Sequence, residues 1–200
     1  MSFSTYAELQ SSIADWLNRT DLTTQIREFI HLAETRIGHE LRTPVIEKTI
    51  ILDVSADGYT TLPDDFLEVK DIFYDYNPLN RVSLSEIHRR SDRSGVPEVF
   101  ARETFRMRFH PTPAGDDTTE FRMIYYYDVG RLSDDNTSHA LLKLAPELYL
   151  YGALAEAADF LGNGQRDAYE MQYQKAYTWI MKHARDAEFA GSTPIVQSGY

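Results

Sequence analysis

Six histidines, His31, His39, His88, His110, His139 and His183, are the side chains here best suited to metal binding or proton transfer, yet they are scattered along the chain. No HExxH or comparable ligand spacing joins any two of them. His31 and His39 fall eight residues apart on one predicted helix. Two turns separate them by roughly 12 Å, too far to share a metal without ligands from elsewhere. Paired acids occur at Asp64-Asp65, Asp116-Asp117 and Asp134-Asp135. Two-carboxylate catalysis needs groups on opposite sides of a substrate, whereas sequence neighbours in turns read as loop or cap residues; Asp64 is expected to cap a turn before Phe66. Cysteine is absent, which removes disulfides, thiolate metal sites and thiol catalysis together. No GxSxG elbow occurs, and Gly162-Asn163-Gly164 lies between two predicted helices rather than between a strand and a helix. These residues predict no catalytic, cofactor-binding or metal-binding side chains, no cofactor and no enzyme activity.

The remaining chemistry is that of contact. Thirteen tyrosines are present. Tyr125-Tyr126-Tyr127 on a strand must point to both faces, as Tyr149 and Tyr151 do on a helix, so some rings are expected at an interface as well as in a core. The formal charge is −11, from 20 Lys and Arg against 31 Asp and Glu, which disfavours tight binding to phosphate backbones. A local basic run, Arg81, His88, Arg89, Arg90 and Arg93, reads as a solvated face that could still meet an acidic group. The first ten residues have no basic n-region and apolar h-region, and no apolar stretch is long enough to span a membrane, so a soluble chain without a secretion signal is expected.

The elements that would position these side chains announce themselves by period. Thr5-Tyr6-Ala7-Glu8 is a capping box, after which Tyr6, Leu9, Ile13, Trp16 and Leu17 share a helix face. A second helix aligns Ile26, Ile30, Ala33, Ile37 and Leu41 and stops at Pro44. Alternation then begins: Ile46, Lys48, Ile50, Leu52 and Val54 oppose Val45, Glu47, Thr49, Ile51 and Asp53 in a strand. Further strands are expected over 59–62, 68–74, 97–102, 105–110 and 118–127, punctuated as an antiparallel meander. Ser83-Leu84-Ser85-Glu86 predicts a second capping box and a short helix within it. From Pro146 the pattern is helical again. Leu148, Tyr151, Ala155 and Ala158 form one stripe and Leu150, Leu154, Ala157 and Leu161 another, which places this helix inside a bundle. A last helix carries Tyr169, Tyr173, Ala176, Ile180, Ala184 and Ala187.

The expected fold is therefore α+β: a four-helix bundle from residues 1–44 and 140–188, an inserted antiparallel β-region over 45–131, a polar linker at 132–139 and an extended C-terminal tail at 189–200. The tail, FAGSTPIVQSGY, has no charged side chain although it follows a helix rich in charge. Gly191, Pro194 and Gly199 exclude a continued helix, and Phe189, Pro194, Ile195, Val196 and Tyr200 are the candidate anchors of an extended peptide in a partner's groove.

In their order along the chain, DLTTQIREFIHLAETRIGHELRTP, YTTLPDDFLEVK and LLKLAPELYLYGALAEAADFLG resemble the head-to-tail adaptor proteins of tailed bacteriophages, the short-tailed type in particular. The likeness spans nearly the whole chain and contains no catalytic signature. It implies a virion structural protein made in the host cytoplasm and located at the capsid-tail junction. In this reading a ring of twelve copies sits under the portal protein, joins it to a downstream tail protein such as a nozzle or tail tube, and continues the channel for DNA. The tail segment would dock in the portal. A twelvefold ring would carry roughly 130 net negative charges, screened beyond about 8 Å, so DNA would pass the lumen without specific binding. The alternatives are another head-completion or tail-tube protein, and a ligand-binding protein or enzyme with a pocket between bundle and β-region.

Overall fold

The computed structural model describes residues 3–90, 93–114 and 119–189, with side chains described to residue 186. In chain order the helices are α1 (Tyr6–Leu17), α2 (Thr23–Glu40), α3 (Leu84–Arg89), α4 (Ala140–Leu144), α5 (Pro146–Leu161) and α6 (Arg166–Phe189). The strands are β1 (Glu47–Leu52), β2 (Tyr59–Thr61), β3 (Phe66–Tyr74), β4 (Asn77–Pro78), β5 (Asn80–Arg81), β6 (Val99–Glu103), β7 (Arg106–His110) and β8 (Phe121–Tyr127). The chain forms two units, one from residues 1–46 and 129–200 and the other from residues 47–128.

In the first unit, local chemistry sets the ends of the helices and α5 sets their packing. Thr5 accepts the Glu8 amide while the Glu8 carboxylate accepts the Thr5 amide, so the capping box satisfies two amides at the start of α1. Asn18, in the left-handed region at φ 51°, ends that helix. Pro146 opens α5 at a position where its missing N–H costs nothing, and Gly162 closes it at φ 60°. Between them Leu148, Tyr149, Leu150, Ala153, Leu154, Ala155, Ala157 and Ala158 are all buried, which leaves almost no side of α5 to solvent.

A four-helix bundle does not describe this unit. A bundle of that kind needs four helices that each bury one stripe in a common core. Here α5 is itself the core: α2 and α6 pack along it, the shorter α1 packs across α5 and α2, and α4 adjoins the start of α5 beside a 3-10 turn at Pro44–Ile46. A helix apolar on all sides must be covered on all sides, and that geometry overrides a four-square arrangement. The helix α4, five residues long, is too short for its period to predict it. His139 caps it by accepting the Leu142 amide at 3.1 Å, a role the sequence does not advertise.

Alternation shapes the second unit, where two four-stranded sheets enclose one core. Their strand orders are β1-β8-β3-β4 and β2-β7-β6-β5. Leu52, Ile72, Met107, Phe109, Phe121, Met123 and Tyr125 fill the space between them. The helix α3 covers the far side of β6, with Ile87 against Val99 and Ala101. Three expectations change here. The sheets do not form a simple antiparallel meander, because β5 pairs with β6 in parallel. Phe66 opens strand β3 instead of following a capped helical turn, and the turn before it is closed by the Phe66 amide donating to the Pro63 carbonyl. The Ser83 hydroxyl accepts the Glu86 amide as expected, but the Glu86 carboxylate turns to Arg89 and Arg90.

Helices α2 and α5 approach closely at Gly152 of α5, where an added Cβ would lie 2.9 Å from the Ala33 Cβ of α2. Neither atom sits on a flexible side chain, so Gly152→Ala must push α2 and α5 apart despite its better helix propensity. We predict that thermal and urea melts will show this variant destabilised by about 1–3 kcal/mol, and that Ala33→Gly in the same chain restores most of the loss.

Candidate assembly surfaces

An ionic cluster ties α2 to α6. Arg36 of α2 donates two hydrogen bonds to the Glu170 carboxylate of α6, at 2.5 and 2.7 Å, and its Nε donates to Glu40 at 3.0 Å. The same guanidinium lies 3.9 Å from the centroid of the buried Tyr173 ring, whose hydroxyl donates to Glu40 at 2.9 Å. Arg36 sits at the border of the apolar stripe of α2, so its stem packs while its planar head reaches across. The Arg36 hydrogen bonds hold the Glu170 carboxyl down at about 2. Burial, with Glu40 adding to it, pushes the Tyr173 phenol up. Residues 131–139 are tied to the same unit: the Leu132 amide donates to Glu34, the Tyr6 amide to the Thr137 carbonyl, and the Ser138 hydroxyl to the Ser4 carbonyl.

The side chains with catalytic potential are placed structurally. His39 is exposed, and His31 half-buried, on α2. His139 serves as a cap, with its Nε2 3.4 Å from the Tyr149 hydroxyl, and His183 stacks on Trp179 with ring centroids 5.2 Å apart. Asp65 accepts from Lys48 and from the Tyr125 hydroxyl, and Asp134 pairs with Arg27 at 3.3 Å. Burial and the Asp65 hydrogen bond push the Tyr125 phenol up to about 12. Asp116 and Asp117 lie outside the described residues. Within the basic run, Arg89 and Arg90 pair with Glu86 and Arg93 pairs with Glu98. Among the described residues no group of three or more His, Asp or Glu could hold a metal ion, and no helix is long and apolar enough to cross a membrane.

Of the tail candidates, Phe189 is the last residue of α6 in its backbone, while its side chain and Pro194, Ile195, Val196 and Tyr200 lie outside the described residues. The expected division of tyrosines is visible elsewhere. Tyr125 is buried between the sheets and Tyr126 belongs to the opposite face, while Tyr149 is buried and Tyr151 meets the half-exposed Trp16 edge-on at 5.9 Å.

What the structure adds is a set of apolar side chains held in solvent. On α6, Met171 and Trp179 stand outside the buried Tyr169, Tyr173, Ala176 and Ile180 stripe, Met171 behind it and Trp179 about a quarter-turn to one side. The two-residue turn of the β6–β7 hairpin carries Phe105 beside Thr104 at φ 55°, and the β3–β4 turn carries Tyr76 at φ 63°. Phe105 is 77% exposed and Tyr76 79%. Asp75 and Tyr76, at φ 47° and 63°, are both left-handed, as a two-residue hairpin turn requires, and the Tyr76 ring meets the Arg122 guanidinium at 5.4 Å. The signal of Phe105 and Tyr76 in the sequence was slight: each is one aromatic at a hairpin turn, with no period to set it apart. Strand pairing also assembles an outer face on the sheet β1-β8-β3-β4. Its rows are Glu47, Tyr126 and Glu68; then Thr49, Ile124 and Asp71; then Ile51, Arg122 and Phe73. A groove of about 260 Å³ on this face is lined by Phe73, Ile124, Arg122, Tyr76, Asp75 and Glu120.

Residues 4–197 match the family model for the SU10 adaptor protein. The match takes in both units and reaches into the uncharged C-terminal segment. No curated protein matches the chain.

The ionic cluster predicts an acid limb in stability. Glu170 ionises near its ordinary 4.5 when unfolded and at about 2 when folded. Its contribution is therefore complete above pH 4.5 and is lost as pH falls from there towards 2. Glu170→Gln should destabilise the protein by about 1–2 kcal/mol at pH 7, after allowance for the solvent that reaches both partners. Melts of wild type and variant should converge as pH is lowered to about 2; a gap that stays constant across this range would contradict the assignment.

Proposed function

The chain belongs to the SU10 adaptor protein family, and from that premise we propose that it is a bacteriophage structural protein that forms a ring, in twelve copies, under the portal at the head-tail junction of the virion. It joins the portal to the downstream tail protein and continues the DNA channel. The observation that carries this reading is the continuity of the family match over residues 4–197, together with apolar side chains that the fold holds in solvent on both units. Exposed Trp, Met and Phe at defined positions are what a protein needs when most of its free surface is to be covered by neighbours. The acidic composition supports a wall that DNA slides past, since phosphate binding draws on clustered cations.

The C-terminal segment is the proposed link to the portal. Pro194, Ile195, Val196 and Tyr200 supply apolar anchors on an uncharged peptide, and α6 delivers that peptide from the end of a helix about 36 Å long. Twelve tethered copies make each further docking event intramolecular, so modest affinity per site suffices for a junction that does not dissociate.

Deletion of residues 190–200 leaves α6 whole and tests this directly. The truncated protein should melt with the full chain by circular dichroism and lose co-sedimentation with purified portal. Undiminished portal binding would show that the tail is not the anchor, and unfolding would assign it to its own domain.

A further inference from the structure

The two outward faces of the β unit differ in charge. On the sheet β1-β8-β3-β4, the rows described above place Glu47, Glu68 and Asp71 towards one end and Ile51 and Phe73, on either side of Arg122, at the other, with Ile124 in the middle row; Ile51 is 67% exposed. Two cations share this face: Lys70 pairs with Glu47 at 2.9 Å and Arg122 with Glu120 at 2.6 Å. On the sheet β2-β7-β6-β5, pairing aligns Tyr59 with Arg108 and Thr61 with Arg106 on the side away from the core. Arg106 and Arg108 flank the Tyr59 ring, 4.2 and 5.5 Å from its centroid. Arg106 also meets Glu103 at 3.0 Å, and Arg108 Nη1 lies 3.3 Å from His88 Nδ1. At the turn of the same hairpin stands Phe105.

We infer that these faces are the two halves of one interface between copies of this chain: the Tyr59, Arg106 and Arg108 face of one copy docks on the Glu68, Asp71 and Ile51 face of the next. The argument is complementarity. An arginine-aromatic surface finds a partner in carboxylates that share a face with apolar side chains, because guanidinium binds carboxylate in a fork while its plane stacks on apolar groups. A chain carrying both halves on opposite sides of one sandwich makes a head-to-tail contact, and such contacts close into rings when the rotation between copies allows. A face meeting its own kind would instead set Arg106 and Arg108 against their equivalents, or Glu68 and Asp71 against theirs, which like-charge repulsion opposes. This inference rests on the ring proposed above and supplies part of the surface that builds it.

Paired charge reversal in the full chain tests it. One variant carries Arg106→Glu and Arg108→Glu, the other Glu68→Arg and Asp71→Arg. In sedimentation velocity each alone should lose the wild-type assembly, because its copies now oppose like charges. An equimolar mixture should regain it, since alternating copies restore opposite charges at every junction of an even-numbered ring. Wild-type assembly by either variant alone, or no recovery on mixing, would overturn the proposal while leaving the ring itself standing. Wild-type protein that remains a monomer at every concentration, with and without portal, would remove the ring and this interface together. Should a reversal variant fail to fold by circular dichroism, Arg106→Gln with Arg108→Gln, or Glu68→Gln with Asp71→Asn, replaces it. Weakened assembly is then expected, and assembly equal to wild type overturns the proposal.

Discussion

The surface of α5 is apolar on almost every side, and that helix cannot be stable until other segments enclose it. The segments that do so come from both ends of the chain: α1 and α2 precede the β unit and α6 follows α5 itself. Residues 47–128 are thereby set apart as a unit with its own core between two sheets. How tightly the enclosure closes is set at Gly152, where only a hydrogen fits opposite Ala33. Its register is fixed by Arg36, which holds Glu170 and Glu40 and lies on the Tyr173 ring. A directional bidentate pair over an aromatic face specifies one alignment of α2 and α6, whereas the apolar contacts along α5 would tolerate several.

Given that scaffold, the side chains left in solvent acquire meaning. An apolar residue scattered singly on a surface needs no explanation. Phe105 and Tyr76 differ in standing, more than three-quarters exposed, at the tips of two hairpin turns, and Met171 and Trp179 differ in lying more than half exposed outside the buried stripe of α6. The helical unit thus exposes Met171 and Trp179 on α6, and the β unit exposes two hairpin turns, one face bearing carboxylates and one bearing arginines. These are the surfaces on which the proposed assembly draws, and the packed interiors hold them in place.

Much of this was readable in the residues. The long helices declare themselves by period, so that Ile26, Ile30, Ala33 and Ile37, and likewise Tyr169, Tyr173, Ala176 and Ile180, are buried as their spacing requires. The double stripe of α5 is equally plain, but two apolar faces mark a helix that others surround, and a bundle of four equals does not follow from them. Elements too short to show a period escaped notice. These include α4, of five residues and capped by a histidine, and β4 and β5, of two residues each. The parallel pairing of β5 with β6 has no local signature. Arg36 and Glu170 stand 134 residues apart, and nothing in either neighbourhood points to the other. The charge difference between the two faces of the β unit likewise exists only once strands distant in sequence are laid side by side. The proposed anchors Pro194, Ile195, Val196 and Tyr200 lie outside the described residues, so their support is composition and position alone.

The account stands or falls on assembly with a portal, and the direct measurement is the mass of the purified portal before and after it is saturated with this protein, by native mass spectrometry. Ring formation predicts an increase equal to twelve copies of the 23.0 kDa chain, reached with few intermediate stoichiometries because neighbouring copies support one another. No bound mass, or binding of a single copy per portal, would contradict it.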